Sequence, residues 1–148
     1  MATAEDIDRA TDPKTDWVAE HVQEYVRSGG TEGHEWNGVP TLVLATTGRK
    51  SGEPRRTGLI YGVAGDEVVI VASKGGAPED PKWYENLLAE PHAGLLVGTD
   101  KYTAVARTAN DDEYQGLWDQ MAQIWPQYED YKTKTDRQIP IVLLRREN

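Results

Sequence analysis

Four stretches of this 148-residue chain hold side chains whose types and spacing could do chemistry. The first is residues 48–57 (GRKSGEPRRT), with Arg49, Lys50, Arg55 and Arg56 against one acid, Glu53. Its glycines let backbone N–H groups converge, Ser51 adds a hydroxyl, and arginine forks match phosphate or carboxylate oxygens. The whole chain has 16 Lys and Arg against 25 Asp and Glu; with those four bases and one acid set aside, 12 remain against 24. A basic turn in so acidic a field points to a local anion site, because the field opposes a general one. A solvated hairpin tip with gatekeeping charges is the plain alternative.

The second stretch is Ser73-Lys74-Gly75-Gly76, at the end of the apolar run EVVIVA. Consecutive glycines there permit close approach of a ligand to the backbone, and Lys74 adds charge; a flexible connector is the alternative. In the third, Trp83 and Asn86 stand one helical turn apart, as an anchor for a short helix or as a platform for a ring. In the fourth, Trp125, Tyr128 and Tyr131 are spaced by three around Pro126, which aligns them along one edge of a helical turn. Such a row walls a cavity for a flat substrate and offers it a hydrogen bond, or else simply packs a helix. His21, His34 and His92 have no metal-ligand spacing, and no metal is expected. There is no GxGxxG and no P-loop signature.

These residues must be carried by definite elements. Asp12, Pro13 and the pair Gly29-Gly30 bracket an expected helix with Trp17, Val18, Val22, Tyr25 and Val26 on one face. Residues 31–40 are expected as a glycine-rich loop. Apolar, β-branched runs at 41–47, 55–63 and 67–73 predict three antiparallel strands in a meander. Asp80 and Pro81 open a short helix, carrying residues 82–89. A hairpin follows at 93–97 and 102–108, then a helix with Asn110 and Glu113 in a capping box. A short helical turn to Tyr131 and a last strand from Ile139 complete the chain. About six mostly antiparallel strands with about three peripheral helices predict an α+β barrel over residues 13–148. Residues 1–12, with four acids and little to bury, are expected to be disordered.

The net charge of −9 and pI near 4.8 argue against nucleic-acid binding. No cysteine is present, which excludes disulfides and thiol catalysis. Mean hydropathy is −0.67 and no apolar run spans a bilayer, so no transmembrane segment is expected. The acidic N-terminus lacks signal-peptide character, and the expected compartment is the cytosol.

Three runs, TLVLATTGRKSGEPRRTGLIY, VVIVASKGGAPEDPKWYENLLAEP and WPQYEDYKTKTDRQIPIVLL, together resemble the deazaflavin (F420)-dependent nitroreductase and quinone reductase family. The likeness runs from about Val39 to Leu144. It implies a split β-barrel oxidoreductase using coenzyme F420, of a kind known mainly from actinobacteria. By resemblance, Arg49, Lys50, Ser51, Arg55 and Arg56 match residues that hold the coenzyme's phosphate and begin its oligoglutamate tail. Thr57, with Val71, Ala72, Ser73 and Lys74, matches the lining of the deazaflavin side, and Lys82, Trp83 and Asn86 match the helix over the ring. Tyr128, with Tyr131 and Trp125, matches the aromatic wall of the substrate pocket, Tyr128 also touching the coenzyme.

The implied reaction is hydride transfer from reduced F420 to a quinone, nitroaromatic or activated enone, with Tyr128 or Tyr131 hydrogen-bonding the acceptor. An FMN-binding barrel and a non-catalytic F420 carrier are the alternatives. Gly58 departs from the family's pattern, which often has proline there, and is expected to loosen its strand. The N-terminus lacks the apolar, basic character that favours contact with a membrane surface. A monomer is preferred over a homodimer.

Overall fold

The computed structural model describes residues 1–14 and 16–147. Eight strands form one antiparallel sheet: β1 (Glu35–Trp36), β2 (Val39–Thr47), β3 (Pro54–Ile60), β4 (Gly62–Ala64), β5 (Glu67–Val71), β6 (His92–Val97), β7 (Asp100–Thr108) and β8 (Ile141–Arg146). Neighbours run β1-β2-β6-β7-β8-β5-β4, and β3 pairs with β2. Since β3 and β4 are one run of chain kinked at Tyr61, that run joins the two ends of the sheet into a ring. The count of six holds for this ring if β3 and β4 are taken as one bent strand and the two-residue β1 is set aside.

β2, β5, β6 and β8 carry continuous buried runs because both of their faces are covered. Leu42, Leu44, Val68, Ile70, Leu95, Val142 and Leu144 point into the barrel, where Tyr84 and Leu87 of α3 (Lys82–Ala89) join them. The intervening residues point outward to two helical covers. Val43, Ala45 and Leu96 meet α1 (Asp6–Arg9) and α2 (Asp16–Arg27), through Ile7, Val22 and Tyr25. Val69, Val71, Ile141 and Leu143 meet α4 (Asp111–Ile124) and α5 (Gln127–Thr133), through Leu117, Trp118, Met121 and Tyr128. The period of two in the strands thus separates inner core from outer. Asn110 and Glu113 form the expected capping box.

Among the described residues the α-helices number five, and the N-terminus accounts for one of the differences. Residues 1–12 pack on the barrel instead of standing in solvent: Ala2 and Ile7 are buried. Three of the four acids there find partners, Asp6 accepting from the Thr3 amide and pairing with Arg9, Asp8 pairing with Lys101 and Asp12 with Arg56, so their charge does not keep the segment off the protein. Thr11 bridges β3 in parallel, its N–H donating to Pro54 O at 3.0 Å and its O accepting from Arg56 N at 2.8 Å. Asp12 does not cap α2; it pairs with Arg56 at 2.6 Å. Asp80 likewise pairs with Arg137 at 2.8 Å, and Pro81 occupies the cap of α3.

The split that opens the barrel follows from the pairings. Apart from the Thr11 bridge, β3 among the described strands pairs with β2 and β4 with β5, so the run 54–64 leaves one neighbour for the other at Tyr61. The diverging edges of β3 and β5 leave a gap. No helix among the described residues is long and apolar enough to cross a membrane.

Candidate functional site

A cavity of about 440 Å³ lies in that gap. Thr57, Gly58, Leu59 and Ile60 of β3 line one side, and Val71, Ser73, Lys74 and Gly75 the other. Trp83 of α3 and the row Trp125, Tyr128 and Tyr131 complete the walls. Eight residues singled out from the sequence therefore meet here: Thr57, Val71, Ser73, Lys74, Trp83, Trp125, Tyr128 and Tyr131. Ala72 alternates away into the barrel core and is fully buried.

The aromatic row is built on the break at Pro126. Tyr128 is buried against Trp118 and Tyr131, with ring centroids 6.2 and 6.0 Å away. Burial, then the nearby Tyr131, push its phenol pKa well above the ordinary value, so the hydroxyl keeps its proton as a donor. Every fully buried side-chain polar atom among the described residues has a partner. The Tyr128 hydroxyl has no partner among the described residues, and Tyr128 lines the cavity.

The floor at Ser73–Gly75 has an unusual backbone. Ser73 is right-handed helical (φ −80°, ψ −38°), whereas Lys74 and Gly75 are left-handed, with φ of 47° and 64°. That succession points neighbouring N–H groups into one concavity, a form that receives anions and electron-rich oxygens. Among the described residues the N–H groups of Ser73, Lys74 and Gly75 make no backbone hydrogen bond. The Lys74 ammonium pairs with Glu79 at 3.0 Å.

The basic turn lies beyond the cavity, farther along β3. Gly48 is required there: a Cβ would lie 2.7 Å from Ser51 Oγ and 3.1 Å from Glu53 O. The turn is clamped to α3 by Asn86, which is buried. Its Oδ1 accepts from Arg49 N at 3.0 Å and its Nδ2 donates to Thr46 Oγ1 at 3.0 Å. Asn86 therefore fixes the turn and does not line the cavity. Arg49 stands 3.4 Å from Glu85. Lys50, Arg55 and Lys82 are exposed, with no ion pair among the described residues. Arg55 and Thr57 share a face of β3, which carries the cations toward the cavity.

Arg56 departs from the expected anion site. It points to the opposite face of β3, where Asp12 and the Ile7 carbonyl at 2.7 Å hold its guanidinium, and its side chain is 10% exposed. The alternation that directs Arg55 outward sends its neighbour to the N-terminal segment. Gly58 does not loosen its strand but seats α2: a Cβ would press on Val22 and His21 at 3.3 and 3.4 Å.

Sequence reasoning missed the mouth of the cavity. Trp17, expected in the helix core, is 57% exposed and stacks on Trp36 at 5.5 Å, and Trp36 in turn meets Trp125 at 5.4 Å. Trp36 reaches that place because β1 and β2 form a hairpin over Asn37-Gly38, both with positive φ, where a loop was expected. The dipeptide Asn-Gly is the signal that marks such a turn. His21 also lines the cavity; its Nε2–H donates to Gly33 O at 2.7 Å.

Comparison with known proteins agrees with this geometry. Residues 17–146 match the family model described as F420H(2)-dependent quinone reductase. The chain is 40% identical over 126 residues to an F420H(2)-dependent quinone reductase of Mycobacterium tuberculosis, covering 82% of this chain and 85% of the relative. It is similar to a solved F420-H2-dependent reductase at 34% identity and TM-score 0.66, covering 72% of this chain and 94% of that one. A structure described as a domain-swapped dimer is likewise 34% identical, with TM-score 0.69 over 90% of this chain and all of that one. The split α+β barrel, the walled gap between β3 and β5 and these similarities converge: the chain belongs to the F420H(2)-dependent quinone reductase family.

Proposed function

We propose that this protein transfers a hydride from reduced coenzyme F420 to a quinone bound under the aromatic row, and that nitroaromatics and activated enones are further acceptors. The observation that carries this reading is the continuity of the site. The cavity is walled by Trp83, Trp125, Tyr128 and Tyr131, and two elements that line it, β3 and α3, also carry the exposed cations Arg55 and Lys82, with Arg49 and Lys50 in the turn that leads into β3. The residues fit the coenzyme on that ground: free amides and aromatic rings suit a deazaflavin, and a row of cations suits a phosphate and oligoglutamate tail. A single phosphate, as in FMN, requires fewer.

When bound, the reduced coenzyme supplies a hydride from a ring carbon. The chain supplies placement. β3 and the Ser73–Gly75 floor would hold the ring system, and the indoles and phenols would bind an acceptor beside it and exclude water. The Tyr128 hydroxyl donates a hydrogen bond to the acceptor oxygen as negative charge develops there, a role for which its raised pKa suits it. Tyr131, whose hydroxyl contacts Gln127 at 3.3 Å, supports the same edge. No nucleophile is needed.

The test is a fluorescence titration with F420, with FMN in parallel, followed by menadione added to the protein carrying reduced coenzyme. Tight, salt-sensitive F420 binding and rapid oxidation by menadione support the reading. FMN binding alone sinks it in favour of a flavin enzyme, and F420 binding without turnover sinks it in favour of a carrier. The neighbour described as a domain-swapped dimer speaks against the preference for a monomer. We infer a homodimer, which a monomer mass in light scattering would refute.

A further inference from the structure

We propose that Arg137 is a positioning residue for the ring end of the site: it holds the Ser73–Gly75 backbone in the form that presents its amides to a ligand. The inference rests on the reading that the cavity takes the coenzyme's ring system. Arg137 lies in the segment between α5 and β8, outside the cavity lining, and its side chain is 16% exposed. Four donations fix its guanidinium. Nη1 donates to Ala72 O at 3.2 Å and to Asp80 Oδ1 at 2.8 Å, Nη2 to Ser73 O at 2.8 Å, and Nε to Ala77 O at 3.0 Å. One planar fork thus gathers three carbonyls of a single loop, which a lysine ammonium with its point geometry cannot do as well.

The consequence for the loop is geometric. All peptide bonds are trans among the described residues, so each N–H points opposite to the C=O of its own peptide. With the carbonyls of Ala72 and Ser73 turned to Arg137, the N–H groups of Ser73 and Lys74 are turned away from it. The cavity lies on that side, because Ser73, Lys74 and Gly75 line it and Arg137 does not. Lys74 pays a conformational cost for φ of 47°, and the guanidinium compensates by satisfying the carbonyls on either side. Arg137 ties two walls together, the Ser73–Gly75 floor and, through Asp80 immediately before Pro81, the start of α3, which carries Trp83. A Cβ on Gly76 would lie 2.8 Å from Tyr131 O, so α5 is pressed on the same loop.

The test compares wild type with Arg137→Gln and Arg137→Lys in three measurements. These are oxidised F420 affinity at two salt concentrations, the absorption band of bound F420, and amide hydrogen exchange at residues 73–77 without coenzyme. Arg137→Gln is expected to weaken F420 binding tenfold or more with an unchanged salt dependence, because the exposed cations are untouched. The bound absorption band shifts toward that of free coenzyme, and exchange within 73–77 quickens at Gly76 and Ala77, whose N–H groups donate to Ser73 O and Lys74 O, while the strands stay protected. Arg137→Lys, retaining charge and one or two donations, falls between. Binding within twofold of wild type, with an unshifted band and unchanged exchange, overturns the proposal. If Arg137→Gln does not fold, Arg137→Lys decides: full affinity and an unshifted band overturn it. A wild type that binds no F420 sinks the coenzyme reading instead, and exchange at 73–77 then decides the positioning role alone.

Discussion

The two ends of the site are held in opposite ways. At the ring end, the Ser73–Gly75 backbone is fixed by a nearly buried arginine with four donations, and the aromatic row is packed against the outer core. At the basic end, a hairpin tip carries exposed cations on long side chains, and one buried asparagine clamps it from behind. The difference matches two tolerances. Hydride transfer needs reacting atoms within roughly 3–3.5 Å, where small errors are costly. Attraction of an anionic tail falls off gently with distance and needs no fixed geometry. Rigidity is concentrated where distance matters.

If that contrast is right, removing the cavity donor should have the largest effect. Tyr128→Phe is expected to lower menadione turnover by roughly two orders of magnitude, the size of losing one donor from an oxyanion-type site. F420 affinity stays near wild type; steady-state kinetics beside a binding titration check both. Asn86→Leu should reach both ends through the clamp. It leaves the Arg49 amide and the Thr46 hydroxyl unpaired, at about 1–3 kcal/mol in urea unfolding. Arg55→Ala should weaken F420 binding severalfold in low salt and little in high salt, with unchanged turnover at saturation. An equal loss at both salt concentrations would erase the contrast.

The smallest effect concerns the N-terminal segment. Burial raises the Asp12 pKa, but hydrogen bonds from Arg56 and Gln23 outweigh this and leave it below the ordinary value. A lowered folded pKa adds stability above the unfolded value, about 3.9, and that stability is lost as pH falls through the folded one. Asp12→Asn should therefore lower the urea midpoint slightly at pH 6, and the difference from wild type should shrink as pH falls below about 3.9.

Much of the barrel was legible because its central strands are buried on both faces, so TLVLATT and EVVIVAS carry unbroken apolar runs, LVLA and VVIVA. The aromatic row was legible because helical spacing is local. What escaped depends on partners far along the chain. Asp12 and Asp80 both look like helix caps, yet each is taken by an arginine, Arg56 or Arg137, whose proximity only folding creates. The same pairing takes Arg56 from the anion site, and no pattern within residues 48–57 distinguishes it from Arg55. Trp17 looked like core because it shares a helical face with Val18 and Val22. It lies at the end of that face, where the barrel surface stops and the cavity begins.

The stack of Trp17, Trp36 and Trp125 has an optical consequence. Three indoles from α2, β1 and the α4–α5 junction stand about 5.5 Å apart in succession, close enough for their transitions to couple. Coupled indoles give a paired circular-dichroism band that collapses when one ring turns away. The mouth of the cavity therefore carries its own chromophore, and its opening or filling can be followed without a label.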